Sequence, residues 1–210
     1  SSFDFTEKEY YDILTRAYAM ETQANKVIAA MNQYDPNITC GLQPDEWGAW
    51  YNQIAGMGTS YQQSTVRDAQ ITAQHLNFFN NNCRRIWMAQ AAQPVNAIHS
   101  FFLTHPTTGA LIKTPTFYVY KLYVPHHNAL LVPSTLTCST KVNTLNPLTA
   151  SASVNAAREL HISVNNIHAT ASQRLTITLN GGSYSGISGQ IVNGPAITSY
   201  NDYNTAEQVN

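Results

Sequence analysis

The order of periodicities along the chain constrains its fold more than any other feature. Up to about residue 127 helical and strand-like segments alternate, and beyond about residue 128 only short period-2 runs remain. Thr6-Glu7-Lys8-Glu9 reads as a capping box, in which Thr6 and Glu9 satisfy each other's backbone donors. Behind it Ile13, Leu14, Ala17, Met20, Ala24, Val27, Ile28 and Met31 recur at helical spacing. Asp35-Pro36-Asn37 ends that helix, and Thr39 to Pro44 can run as a short strand. A Gly-containing loop then leads into a second helix, roughly Thr65 to Asn80, with Val66, Ala69, Ala73, Leu76 and Phe79 on one side. A compact apolar strand, Arg85 to Ala89, comes next, and Pro94 with the stretch after it reads as loop or short helix. Pro115 suits the first turn of a last helix reaching about Tyr123.

Helix, strand, helix, strand, helix argues for a parallel α/β arrangement, the last part of a (β/α)8 TIM barrel whose chemistry sits at the carboxyl ends of the strands. Two strands cannot close a barrel, so about six more would have to come from other polypeptide. The chain is therefore expected to be incomplete on its own. In the second half, Leu160, Ile162 and Val164, then Leu175, Ile177 and Leu179 with Thr176 and Thr178 between them, read as half-buried antiparallel strands. Asn180-Gly181-Gly182 is a turn, and Gly186, Gly189, Gly194 and Pro195 mark others. The expected fold class is α/β plus all-β: a barrel portion over residues 1–127 and an antiparallel β-sandwich over residues 128–210.

The chemistry concentrates in Asp45-Glu46-Trp47-Gly48, a carboxylate beside an aromatic ring at the carboxyl end of the first strand-like run. Glycosidic hydrolysis normally takes two carboxyl groups facing each other across the sugar. The chain has only 12 Asp and Glu in all, and the rest suit capping, turn or solvated roles: Glu7, Glu9, Asp12 and Glu21 on the first helix, Asp35 in a turn, Asp68 opening the second helix, Glu159 in the second half, Asp202 and Glu207 in a polar tail. Glu46 is left without a partner, a second sign that half of the site lies elsewhere.

Composition narrows the class further. Charged residues make up 11%, against about 25% in ordinary domains, with a formal net charge of −1. That leaves no electrostatic footprint for nucleic acid or an anionic membrane, and no apolar run approaches the length of a membrane helix. Cys40, Cys83 and Cys138 are odd in number and widely spaced, either small buried hydrophobes or one of them paired to other polypeptide. Asn37-Ile38-Thr39 is an N-glycosylation sequon in a turn, which fits a secreted, extracellular glycoprotein. His126-His127 lacks accompanying ligand spacing, so neither metal nor other cofactor is expected.

Across nearly its whole length the chain resembles the carboxyl-terminal part of glycoside hydrolase family 51, the α-L-arabinofuranosidases. The resemblance rests on Tyr34-Asp35-Pro36, Asp45-Glu46-Trp47-Gly48 with Trp50-Tyr51, Gln62-Gln63, Arg67-Asp68-Ala69, Met88-Ala89, Ala92-Gln93 and Val95-Asn96. Thr114-Pro115-Thr116, Val119, Tyr123 and Asn201 to Thr205 continue it. It implies a retaining hydrolase whose barrel ends here with its seventh and eighth strands, followed by a jelly-roll-like sandwich. Glu46 would be the nucleophile attacking a terminal α-L-arabinofuranosyl residue of arabinan, arabinoxylan or a related oligosaccharide. Trp50 would line the sugar pocket and Gln93 would hydrogen-bond the arabinose, while Trp47 packs behind the site, Asp45 points away, and Arg67 and Arg84 serve as structural partners.

The family's acid/base glutamate follows an asparagine, and this sequence has no Asn-Glu pair, so that residue is expected on a complementary N-terminal chain left by natural nicking. Gln43-Pro44, Tyr118 and Pro94 depart from the family pattern, and the sandwich is expected to lack its final strands. Two other readings stand beside this one: a noncatalytic carbohydrate-binding or structural subunit, and a related retaining glycosidase acting on β-glucan or xylan.

Overall fold

The computed structural model describes residues 1–55, 60–91 and 93–210. Gly56 and Gly58 of the loop before the second helix, and Ala92 of the Ala92-Gln93 pair, lie outside the described residues.

Helix α1 runs Glu7–Tyr34, and its capping box forms as the sequence predicts: Thr6 Oγ1 accepts from Glu9 N–H, and Glu9 reaches back to the Thr6 N–H. It buries Tyr10, Tyr11, Leu14 and Ala24. Helix α2, Val66–Asn81, opens on a second reciprocal box between Thr65 and Asp68 and is buried along most of its length. Helix α3, Pro115–Tyr123, carries its proline in the first turn, and Thr114 Oγ1 accepts from Phe117 N–H. A 3-10 turn, Val124–His126, follows it.

The two barrel strands are reduced to parallel bridges, Leu42 with Ile86 and Trp47 with Ala91. They are joined by Leu42 N–H to Arg85 O (2.7 Å), Trp87 N–H to Leu42 O (3.2 Å) and Gln90 N–H to Pro44 O (2.9 Å). Pro44 has no N–H to give, so the ladder is interrupted where it falls. Gly41 admits Trp87, since a Cβ there would lie 2.2 Å from the indole. No closed barrel forms among the described residues. The stretch after Pro94, read from sequence as loop or short helix, holds an antiparallel hairpin instead: β1, Phe102–Thr104, and β2, Leu111–Lys113.

The second half holds one antiparallel sheet of β3 (Leu130–Leu131), β4 (Leu148–Val154) and β5 (Leu160–Asn166). Among the described residues the hydrogen-bonded strands of the expected sandwich amount to this one three-stranded sheet. Leu175, Ile177 and Leu179 form no strand, since they make no ladder hydrogen bonds to another segment among the described residues. They line a cavity of about 860 Å³ with Val132, Leu136 and the apolar face of β4 and β5.

The apolar face of the sheet is covered unevenly, with Leu148 and Ala152 of β4 buried on it. The register pairs Ala150 with Val164, Ala152 with Ile162 and Val154 with Leu160, which places these six on one face. Ile162 and Val164 are exposed on it. The opposite, polar face packs on α2: Asn77 Nδ2 donates to Thr149 Oγ1 (3.1 Å), Asn80 Nδ2 to Ser151 Oγ (3.1 Å) and Asn165 Nδ2 to Gln70 O (3.0 Å). His126 bridges β4 and β5 through Ser153 Oγ and Ser163 Oγ, both at 2.7 Å, a structural role consistent with the absence of ligand spacing.

Two further expectations change. Arg85, not Arg84, is the structural arginine: it donates to Asp35 Oδ2 (2.8 Å), Asp35 O (2.8 Å), Cys40 O (2.8 Å) and Asn32 Oδ1 (2.9 Å). This pins the end of α1 to both bridged segments. Cys40 and Cys83 are exposed rather than buried, and none of the three cysteines pairs with another among the described residues. Cys40 Sγ–H donates to Asp35 Oδ2 at 3.3 Å.

Candidate active site

Glu46 and Trp47 are separated by alternation at the carboxyl end of the first bridged segment. Trp47 is only 6% exposed and turns toward the helices, edge-on to His75 and Phe79. Its predecessor Glu46 is exposed, on the opposite side by alternation, and Asp45 is exposed as well. The other bridged segment repeats the pattern, with Ile86 buried and Trp87 exposed. One face of this parallel pair therefore seals against α1 and α2, and the other presents the carboxylate.

Gly48 continues the corner at φ +128°, a conformation that side chains resist, with a Cβ position only 2.8 Å from the His99 ring. Trp50 stands out from the surface at 74% exposure, and Gln93 is exposed two residues beyond the Trp47–Ala91 bridge. The parallel register that aligns Trp47 with Ala91 carries Gln93 to the same end of the pair as Glu46. Asn37 is exposed in the turn after α1, away from this end.

Beneath the corner lies a buried polar network that periodicity does not reveal. Thr72 Oγ–H donates to Asp68 O (2.8 Å), so its oxygen accepts from His99 Nε2–H (2.7 Å), which fixes the tautomer. His99 Nδ1 is then bare, 4.0 Å from Asp68 Oδ1. Burial pushes the imidazoles of His99 and His75 down to about 4, so both are neutral at neutral pH. Burial likewise raises the Asp68 carboxyl, opposed by the Arg67 charge and the Thr65 hydrogen bonds. Arg67 acts structurally, as its sequence position predicts: its guanidinium lies 3.7 Å from the Phe5 ring centroid and 4.0 Å from that of Tyr51, and Nη2 donates to Ser1 O and Ser2 O. Only an adjacent polar run, Gln62-Gln63-Ser64-Thr65 before an apolar helix, hints at this network in the sequence.

Among the described residues no group of three or more His, Cys, Asp or Glu could hold a metal ion, and no helix is long and apolar enough to cross a membrane. The large cavity against β4 and β5 has Arg174 as its one charged lining residue and no carboxylate, so it offers no hydrolytic chemistry.

Comparison with known proteins matches this arrangement. Residues 45–210 match the family described as the alpha-L-arabinofuranosidase C-terminal domain. The intracellular exo-alpha-L-arabinofuranosidase of Bacteroides ovatus is 34% identical over 209 residues, covering 97% of this chain and 40% of that protein. The crystal structure of the GH51 arabinofuranosidase from Xanthomonas axonopodis pv. citri superposes with a TM-score of 0.89 at 30% identity, over 100% of this chain and 43% of that one. A family 51 alpha-L-arabinofuranosidase from Bifidobacterium longum shares the fold, with a TM-score of 0.82 at 18% identity over 98% of this chain and 45% of that one. The chain thus spans less than half the length of these relatives, and it belongs to the glycoside hydrolase family 51 α-L-arabinofuranosidases, as their carboxyl-terminal part.

Proposed function

We propose that residues 1–210 supply one half of the active site of a retaining exo-α-L-arabinofuranosidase, with Glu46 as its nucleophile. In this reading residues 1–127 are the last portion of a catalytic (β/α)8 barrel and residues 128–210 its β-sandwich. The observation that carries it is the exposure of Glu46 at the carboxyl end of two parallel-bridged segments whose other face is sealed by helices. The relatives named for arabinofuranosidase activity support the substrate class, and their greater length supports an origin for the missing half.

The Glu46 carboxylate attacks the anomeric carbon of a terminal arabinofuranosyl residue. The bond to the leaving oxygen breaks as that oxygen takes a proton from an acid on polypeptide outside residues 1–210. Water then adds to the glycosyl ester, giving its proton to the same group, now a base, and Glu46 returns to carboxylate. Trp50 covers the apolar side of the sugar, and the Gln93 amide both donates to and accepts from its hydroxyls. No metal or cofactor takes part.

The test uses natively purified protein, examined by intact mass and denaturing gel for accompanying polypeptide and assayed on 4-nitrophenyl α-L-arabinofuranoside beside Glu46→Gln. Hydrolysis reduced at least about a thousandfold in the variant supports the reading. A folded wild-type protein with its complement present and no activity on this substrate overturns it, and a panel of β-glucan, xylan and sugar-binding assays then separates the glycosidase and binding-subunit alternatives. Location is a separate part of the proposal. The exposed Asn37 sequon supports a secreted protein, whereas the name of the Bacteroides relative points inside the cell. Mass spectrometry of the Asn37 peptide for glycan distinguishes them.

A further inference from the structure

Trp50 projects with three-quarters of its surface free, so few side-chain neighbours hold its ring, and its position depends on its backbone. That backbone is held by Gln62, which is only 3% exposed. Gln62 Oε1 accepts from Tyr51 N–H at 2.9 Å, and Gln62 Nε2 donates to Ala49 O at 2.8 Å. The two groups are the carbonyl just before Trp50 and the N–H just after it. A residue in a parallel ladder holds its partner in the same way, so one side-chain amide stands in for a neighbouring strand.

The clamp is itself anchored. Tyr61 is buried with Leu103 and Ile112, and its carbonyl accepts from Ile54 N–H (2.8 Å). Gln63 Nε2 donates to Asn201 O (3.0 Å), and the Ser64 and Thr116 hydroxyls lie 3.0 Å apart. On the far side, the Tyr51 ring rests on the Arg67 guanidinium. Both ends of the three-residue arc around Trp50 are thereby fixed, while the indole itself stays free to meet a ligand.

We infer that Gln62 is a positioning residue for substrate binding: its amide clamps the backbone on both sides of Trp50 and sets where the indole meets the sugar. The inference rests on the reading of Trp50 as a sugar-lining residue given above. Leucine at 62 keeps the bulk and removes both hydrogen bonds. Glutamate keeps the acceptor, and it regains the donor only when its carboxyl is protonated.

The experiment compares Gln62→Leu, Gln62→Glu, Trp50→Ala and the double variant Gln62→Leu/Trp50→Ala in the full-length gene product, on 4-nitrophenyl α-L-arabinofuranoside. Gln62→Leu is expected to raise KM about 10-fold with a smaller change in kcat. In the Trp50→Ala background its effect should shrink to less than about 2-fold, since the two residues act as one unit. The activity of Gln62→Glu relative to wild type should recover as pH falls, which a mere space-filling role does not produce.

A second readout is independent of activity: the 19F resonance of Trp50 in 5-fluorotryptophan-labelled protein, assigned by its loss in Trp50→Phe, should shift in Gln62→Leu. If the wild type does not hydrolyse the substrate, the proposed function fails while this resonance still tests the clamp. An unshifted Trp50 resonance, or a KM effect of Gln62→Leu that persists undiminished without Trp50, overturns the inference. Should Gln62→Leu fail to fold, Gln62→Glu decides by the same resonance, which should move toward its wild-type position as pH falls and overturns the inference if it stays put.

Discussion

Replacing Asn77 by leucine tests whether the polar junction between α2 and the antiparallel sheet stabilises the protein, because it removes three hydrogen bonds at nearly constant volume. Asn77 is 1% exposed. Its Oδ1 accepts from Tyr123 Oη and Ser151 Oγ, both at 2.8 Å, and its Nδ2 donates to Thr149 Oγ1 at 3.1 Å. Each net hydrogen bond contributes about 1 kcal/mol, so the loss is about 3 kcal/mol. The single Tyr123 O–H keeps Ala73 O as an acceptor (3.0 Å), whereas the buried Ser151 hydroxyl hydrogen loses its acceptor and keeps only the bond received from Asn80, so the stranded donor offsets what Tyr123 retains and the total stays at about 3 kcal/mol. At about 2–4 °C per kcal/mol for a domain of this size, melting should fall by about 6–12 °C. The assay is thermal unfolding of wild type and Asn77→Leu followed by circular dichroism. Ser151→Ala should couple to it by about 0.5 kcal/mol or more in a double-mutant cycle. A melting shift under about 2 °C refutes the reasoning, because the polar face would then exchange its bonds for water at no cost.

Three other outcomes are expected. Gly48→Ala combines a side chain at φ +128° with a contact of 2.8 Å to His99, and should cost about 2–4 kcal/mol, read as a lowered denaturation midpoint. Burial raises the Glu21 carboxyl to about 7, with the Gln74 hydrogen bond opposing it. A folded value above the unfolded one favours the folded state fully at low pH, and that contribution is lost as pH rises through about 7. Glu21→Gln should therefore match wild type near pH 4 and exceed it in stability by roughly 2–3 kcal/mol above pH 8, measured by denaturant titration at each pH. Native thiol titration with a disulfide reagent should label Cys83 faster than Cys40, whose thiol is held above its usual range by its hydrogen bond to the Asp35 carboxylate. Equal rates would contradict that contact.

Helices α1, α2 and α3 were legible in the sequence because each carries its own signal: the Thr6–Glu9 box, the helical spacing of Val66, Ala69, Ala73, Leu76 and Phe79, and the proline after Thr114 are local, and a helix closes its hydrogen bonds within itself. Glu46 and the inward turn of Trp47 were legible for a related reason, since alternation along an extended segment needs no knowledge of its neighbours. The hairpin β1–β2 was not legible, because its strands are only three residues each, Phe102–Thr104 and Leu111–Lys113, too short for a period-2 pattern to stand out beside the turn at Gly109. Arg84 and Arg85 are adjacent and identical in type, and only the position of Asp35 and Asn32 selects the second.

Composition, caps and period thus determined by themselves where the helices lie and which carboxylate stands at a strand end. Tertiary structure alone decided which face of β4 and β5 packs on α2. Their apolar positions look like core by pattern, yet α2 presents Asn77, Asn80 and the Gln70 carbonyl, so the serines, Thr149 and Asn165 pack inward. The same holds for Gln62, whose role exists only because the fold brings its amide against the two peptide groups beside Trp50. Local signals survive in one dimension because they are made between residues a few positions apart. Pairing across 11 positions or 74, as for Tyr51 with Gln62 and Asn77 with Ser151, is settled only when the whole chain has packed.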